Sequence, residues 1–400
     1  MLSEKMLGLG NKRSEIREIF EYGKKRAQEI GAENIFDFSI GNPNVPAPGC
    51  VKEALISLLD NENPVLLHGY TSAQGSADVR ETIAKYIRDT FGAKISAENI
   101  YMTYGAAAAL TIAAKALTED GGNDEFITFA PYFPEYKVFV EAAGAKLTVL
   151  PPDTEHFQID IDLLGKALNP SVKAVIINSP NNPSGAVYSV STIVSLCSLL
   201  DAKSAEYGHP IYLISDEPYR ELVYDKNTVV PYLMNYYKNT LVCYSYSKSL
   251  SLPGERVGYL AVSPEMDECK DVYAAVCGAG RALGYVCAPS IFQLVAAKCV
   301  GKTTDISIYK KNRDILYEAL TEYGYKCVKP DGAFYLFVKA LEPNASAFCE
   351  RAKKYELLLV PGDGFGCPGY VRISYCVRTD QIENSLPAFK KLADEYKEQK

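Results

Sequence analysis

The sequence predicts an α/β protein: a large domain with a doubly wound, mostly parallel sheet, and a smaller α+β domain built from the N- and C-terminal segments. Three observations predict it. Between about residues 99 and 262, short apolar runs alternate with helical stretches. Those runs lack the in–out alternation of a half-solvated strand, so they read as strands buried on both faces, as in a parallel sheet. Beyond residue 330 the texture changes to a few strand-like runs closed by an amphipathic helix.

Taken in order, the first helix is expected from Ser14 to Ile30, where Ile16, Ile19, Phe20, Ala27 and Ile30 fall near one face. The segment Ser39–Pro48 carries Gly41, Pro43, Pro46 and Pro48, breakers dense enough to mark a loop between structural units. A helix after Ser76 carries Val79, Ile83, Tyr86 and Ile87 on one side. Strands of the large sheet are expected at Asn99–Thr103, Phe126–Ala130, Lys146–Leu150, Ala174–Asn178, Tyr212–Ser215, Leu241–Ser245 and Gly258–Val262. Those of the small domain are expected at Ala333–Val338, Glu356–Val360 and Tyr370–Tyr375, followed by a helix over Gln381–Glu398. The breaker-rich loop hands the chain over, so residues 49–295 are assigned to the large domain, and 1–48 with 296–400 to the small one.

Composition narrows the function. With 48% hydrophobic and 23% charged residues, the 400-residue chain is too apolar for a disordered protein. A net charge of −7 argues against a general nucleic-acid-binding surface. The most apolar stretch, Ala106–Ala114, is too short to span a membrane, and the first twenty residues hold no signal-type apolar core, so a cytoplasmic protein is expected. The 11 cysteines are scattered, odd in number and without a Cys-x-x-Cys pair, which reads as reduced thiols. Three histidines far apart in sequence give no metal-ligand spacing, and no metal is expected.

In α/β sheets, ligands collect at the carboxyl ends of strands. There the chain reads Tyr104-Gly105-Ala-Ala-Ala, Asn178-Ser-Pro-Asn-Asn182-Pro-Ser-Gly185, Asp216-Glu-Pro-Tyr219 and Ser245-Tyr-Ser-Lys248, with Arg256 eight residues past the lysine. Singly each is weak; a strand-ending aspartate is often only a helix cap. Together they supply an amine, a carboxylate, a tyrosine–asparagine pair and a hydroxyl-plus-arginine anion site. Pyridoxal 5′-phosphate needs that set: an amine to bond its aldehyde, a carboxylate to keep its ring nitrogen protonated, donors for its phenolic oxygen, and hydroxyls, an arginine and helix N-terminal N–H groups for its phosphate.

On these motifs the chain resembles the fold-type-I pyridoxal-phosphate enzymes, and within them the class I/II aminotransferases of the aspartate aminotransferase family, from about Phe36 to Ser374. The resemblance implies that Lys248 carries the cofactor and shuttles the proton, with a lowered pKa. It implies that Asp216 pairs with the ring nitrogen and that Tyr219 and Asn182 meet the phenolic oxygen. Ser245, Ser247, Arg256 and the backbone N–H groups of Ala106 and Ala107 after Gly105 would hold the phosphate. Phe133 matches the stacking ring, a tryptophan in some members, and Tyr70 the tyrosine that reaches the phosphate from the partner of a homodimer. Arg372 and the backbone at Gly41 would take the substrate α-carboxylate. Arg281 lies roughly where a partner arginine serves dicarboxylate-specific members, in differing flanking sequence. The phosphate cup lacks the hydroxyl or lysine of some relatives.

The expected activity is reversible transfer of an amino group between an α-amino acid and a 2-oxo acid by a ping-pong course, in a homodimer with shared sites. A carbon–sulfur β-lyase would use the same cofactor cage. A non-catalytic amino-acid sensor would need a DNA-binding module, for which the roughly 35 residues before the family-like region are too few.

Overall fold

The computed structural model describes residues 2–11 and 15–398. Seven strands form the large sheet: β1 (Ile100–Thr103), β2 (Glu125–Phe129), β3 (Lys146–Leu150), β4 (Val172–Asn178), β5 (Tyr212–Asp216), β6 (Thr240–Ser245) and β7 (Gly258–Val262). Their spatial order is β1-β7-β6-β5-β4-β2-β3. The run from β6 to β3 is parallel, whereas β7 is antiparallel to both β6 and β1. The expected mostly parallel sheet is present with this one reversed strand.

The absence of alternation in the strands has its cause in the layers. On β6, Leu241 and Cys243 join one apolar cluster while Val242 and Tyr244 join another; on β4, Ala174 and Ile176 point one way, Val175 and Ile177 the other. Helices Ala106–Leu117, Glu135–Ala143 and Cys269–Ala282 share the first cluster, and helices Ile161–Ala167 and Val190–Tyr207 cover the opposite face. Helices Gly49–Asn61, Ala77–Phe91 and Ser290–Lys298 cover β1, β6 and β7. With both faces dry, every strand position favours an apolar residue.

A second, four-stranded antiparallel sheet has the order Val360–Pro361, Tyr370–Ser374, Tyr335–Lys339, Lys326–Cys327. Helices Ser307–Tyr323, Ala345–Ala352 and Thr379–Glu398 pack on it around Phe334, Phe348 and Phe389. The N-terminal segment adds to this unit: Phe36–Asp37 pairs in parallel with Leu357–Leu358, and Phe38 packs on Phe389.

Some boundaries differ from expectation. Residue 14 lies outside the described residues, and the helix there is described as Glu15–Ile30, with Ile19 buried and Ile16, Ala27 and Ile30 against the same cluster. A helix over Glu4–Asn11, which the sequence reading did not anticipate, precedes it. The strand expected from Ala333 begins at Tyr335, because Ala333 sits at φ 56°, outside extended backbone. The strand expected over Glu356–Val360 is two short pieces, with Glu356 in the left-handed region closing a turn. All 11 cysteines are free thiols. Among the described residues no helix is long and apolar enough to cross a membrane.

Candidate active site

Register brings the strand ends together. Asn178 ends β4 directly beside Asp216, which ends β5. Ser245 ends β6 opposite Gly258, itself opposite Thr103 at the end of β1. The helix that starts at Ala106 therefore opens next to Ser245. The one-turn helix Tyr246–Ser249 and the loop to Arg256 close the same corner. One cavity is lined by Gly41, Ala106, Ala107, Phe133, Asn182, Asp216, Tyr219, Ser245, Ser247, Lys248, Arg256 and Arg372, together with Asn178 and Tyr335. Nine separate chain segments thus meet, and both sheets contribute to the lining.

At one end lies a polar cup. The Ser245 and Ser247 hydroxyls are 2.8 Å apart, and the Ser247 backbone N–H donates to Ser245 Oγ at 3.2 Å. Arg256 donates to Ser247 Oγ at 3.5 Å and to the Pro253 carbonyl at 3.0 Å. Gly105 has φ 85°, and a Cβ there would stand 3.3 Å from Ser245 Oγ and 3.4 Å from an Arg256 nitrogen. The missing side chain keeps this cup open in front of a helix N-terminus, whose first N–H groups have no intrahelical partner.

In the middle stand the acid and the amine. Asp216 Oδ2 accepts a 2.6 Å bond from the Tyr136 hydroxyl, while Asp216 Oδ1 is buried without a partner. Burial pushes this carboxyl up to about 7, with the Tyr136 bond pulling back and nearby Glu217 adding to the rise. Asn178 fixes the backbone around it, donating to the Asp216 carbonyl at 2.9 Å and accepting from the Asn182 N–H at 2.7 Å. Lys248 Nζ donates to the Gly41 carbonyl at 2.7 Å and lies 5.2 Å from the centre of the Phe334 ring. Burial pushes its ammonium down to about 8, against a small opposing effect of Cys376 and aided by Arg256 and Arg372. An amine in that range is unprotonated in a sizeable fraction of molecules near neutrality.

At the far end Arg372, 2% exposed, comes from the middle of its strand in the small sheet. It donates to Asn182 Oδ1 at 3.2 Å and to the Ser39 carbonyl at 2.5 Å. Its Nε is buried and unpartnered, and the guanidinium lies between the rings of Tyr335 and Phe365 at 4.7 and 5.0 Å. The Tyr219 and Tyr335 hydroxyls are 2.9 Å apart. A buried guanidinium with no carboxylate partner among the described residues has the charge and geometry to accept one.

Tyr70, expected at a partner's site, and Arg281, which the resemblance left open, lie outside this cavity. Tyr70 is 98% exposed, and Arg281 is exposed near the end of its helix. The sequence reading overlooked Tyr136, Tyr335 and the positioning part played by Asn178. Tyr136 carried a faint signal, three residues past Phe133 at the start of the helix Glu135–Ala143, where the two rings meet edge-on. Tyr335 carried none beyond its place in a strand.

The chemistry of the donor set fits pyridoxal 5′-phosphate. An unpaired buried carboxylate oxygen suits a ring N–H, the lysine suits an aldehyde, and the open cup of hydroxyls, arginine and helix N-terminus suits a phosphate. Fold and site together define a fold-type-I pyridoxal-phosphate enzyme. Comparison with known proteins makes this narrower. Residues 33–389 match the family described as aminotransferase class I and II, and the chain belongs to that family. A probable aspartate aminotransferase of Methanocaldococcus jannaschii is 30% identical over 396 residues, covering 95% of this chain and 97% of that protein. The aspartate aminotransferase of Thermotoga maritima is 32% identical over 368 residues, 91% of this chain and 92% of that one. The crystal structure of an amino transferase from Eubacterium rectale superposes with a TM-score of 0.97 at 60% identity, over 99% of both chains. The protein is a pyridoxal-phosphate-dependent aminotransferase, and its substrates are amino and 2-oxo acids.

Proposed function

We propose that the enzyme works as a homodimer, by a ping-pong course, with the cavity residues in the following roles. Lys248 holds the cofactor covalently, and its Nζ moves the proton of the substrate Cα. Asp216, through its unpartnered Oδ1, holds the ring nitrogen in its protonated form. Tyr219 and Asn182 donate to the phenolic oxygen, and Phe133 stacks on the ring. Ser245, Ser247, Arg256 and the N–H groups of Ala106 and Ala107 hold the phosphate, and the bare Gly105 leaves room for it. Arg372 takes the α-carboxylate in two bonds, with the backbone at Gly41 close by.

The observation that carries this reading is the meeting of Lys248, Asp216 and Arg372 in one cavity, with Asp216 Oδ1 and Arg372 Nε buried and without partners among the described residues. Bound there, pyridoxal phosphate supplies an aldehyde for bonding to an amine and a conjugated ring that accepts negative charge. The protein supplies placement. Arg372 would fix the amino acid by its carboxylate, Lys248 Nζ would take up the Cα proton, and Asp216 Oδ1 would hold the ring nitrogen protonated.

Tyr70 is assigned to the phosphate of the partner's site; its near-complete exposure in a single chain supports that. We place the first domain boundary at residues 48/49, the second just past the helix Ser290–Lys298 rather than at the expected 295/296, because that helix packs on the large sheet, and the enzyme in the cytoplasm. Aspartate and aromatic amino acids are named as substrates of relatives, and both belong in the first donor panel for this enzyme.

The test is borohydride reduction of purified holoenzyme followed by peptide mapping, then a single turnover with an amino acid and no acceptor. The reading requires the label on Lys248 and release of one 2-oxo acid per site, with recovery on adding a second 2-oxo acid. A label on another lysine overturns the site, and continuous ammonia release overturns transamination in favour of elimination.

A further inference from the structure

The contact between the Tyr219 and Tyr335 hydroxyls has a polarity that chemistry decides. They are 2.9 Å apart and both side chains are buried. A phenol has one hydrogen to give. In the role proposed above, Tyr219 gives its hydrogen to the cofactor's phenolic oxygen, so in the contact between the two tyrosines it accepts and Tyr335 donates. Neither phenol ionises near neutrality: burial raises Tyr335 to about 12, and Tyr219 further, so both hydrogens are in place.

Tyr335 also faces the other end of the cavity. Its ring lies 4.7 Å from the Arg372 guanidinium, within cation–π range. Its hydroxyl packs against the backbone at Gly41, where any Cβ would overlap it. The same side chain therefore touches the arginine assigned to the substrate carboxylate, the backbone next to that carboxylate, and the tyrosine assigned to the cofactor oxygen.

We infer that Tyr335 is a positioning residue with two separable jobs: its hydroxyl fixes Tyr219 as a donor toward the cofactor, and its ring holds the Arg372 fork in place. The inference rests on the roles proposed for Tyr219 and Arg372. The first job is cooperative, since a phenol that accepts a hydrogen bond becomes a better donor. The second is steric and electrostatic: Arg372 has no carboxylate partner among the described residues, and the faces of Tyr335 and Phe365 confine it.

Two variants separate the jobs. Tyr335→Phe keeps the ring and its edge-on contact with Tyr219, so a merely structural part would survive in it. Tyr335→Leu removes both. The first readout is the pH midpoint of the bound cofactor's absorbance in holoenzyme without substrate. A weaker donor at the anionic oxygen leaves the cofactor holding its proton more tightly, so the midpoint should rise by about 0.3–1 pH unit in both variants. The second readout is the affinity for a non-reacting carboxylate, 3-phenylpropionate or maleate. It should stay within about twofold of wild type in Tyr335→Phe and fall about fivefold or more in Tyr335→Leu. A wild-type midpoint in Tyr335→Phe overturns the first job. Equal loss of carboxylate affinity in both variants overturns the second. Failure of the underlying site assignment is seen elsewhere, in the wild type, as a borohydride label away from Lys248.

Discussion

Replacing Tyr136 by phenylalanine removes one hydroxyl and leaves the ring that packs edge-on against Phe133. The hydroxyl is the donor in a 2.6 Å bond to Asp216 Oδ2, the single hydrogen bond to that carboxyl's oxygens among the described residues. A hydrogen bond to a buried charged group contributes about 1.5–3 kcal/mol, and one pKa unit corresponds to about 1.36 kcal/mol. The Asp216 carboxyl of the cofactor-free protein, at about 7 in the wild type, should therefore move up by about 1–2 units. At pH 7.5 its ionised fraction would fall from about three quarters to about a quarter or less. The ionised form is the one that pairs with a protonated ring nitrogen, so pyridoxal phosphate affinity at that pH should fall in proportion, by about 3- to 25-fold. Isotope-edited infrared or carbon NMR titration of labelled aspartate in cofactor-free protein reads the midpoint; fluorescence titration reads the affinity. Linkage gives a further sign. Asp216 has a folded-state pKa above its unfolded 3.8, so its contribution to stability is present below pH 4 and is lost as pH rises through about 7. In Tyr136→Phe that loss should extend to higher pH. An Asp216 midpoint within a few tenths of wild type in the variant would refute the reasoning.

Arg372→Leu removes a desolvated fork and should lower kcat/KM by about 30-fold to several thousandfold, the equivalent of about 2–5 kcal/mol, with the borohydride label still on Lys248. Glu217→Gln breaks the buried pair with Arg220, whose guanidinium also donates to the Val230 and Pro231 carbonyls; leaving that charge uncompensated should cost about 3–5 kcal/mol of stability in urea unfolding. For the shared site, Lys248→Ala and Tyr70→Phe protomers, each poorly active alone, should regain activity on mixing, because one site of each hybrid has both residues intact. No gain after proven subunit exchange would count against Tyr70 acting across the dimer.

What the sequence determined by itself was everything written in local spacing. Apolar runs without alternation gave the buried sheet, since a strand covered on both faces has no position that favours a polar side chain. Gly105 before an alanine-rich helix, the serines before Lys248, Asp216 at one strand end and Asn182 just past another were legible because a cofactor bound at the carboxyl edge of a sheet draws its ligands from the residues that follow each strand. The reversal of β7 was not legible: an apolar strand reads the same in either direction, and only its pairing with β1 and β6 decides. Nor were Tyr136 and Tyr335. Their hydroxyls meet Asp216 and Tyr219 across 80 and 116 residues of chain, and a tyrosine in an apolar run looks like core until packing brings it to a partner. The side-chain bonds of Arg372 to Asn182 and of Lys248 to Gly41 likewise exist only because the small sheet and the loop before residue 49 close over the large one. Spacing along the chain fixes which groups a segment offers; burial and the distances between segments, which set the pKa of Asp216 and Lys248 and leave single atoms unpartnered, belong to the tertiary structure alone.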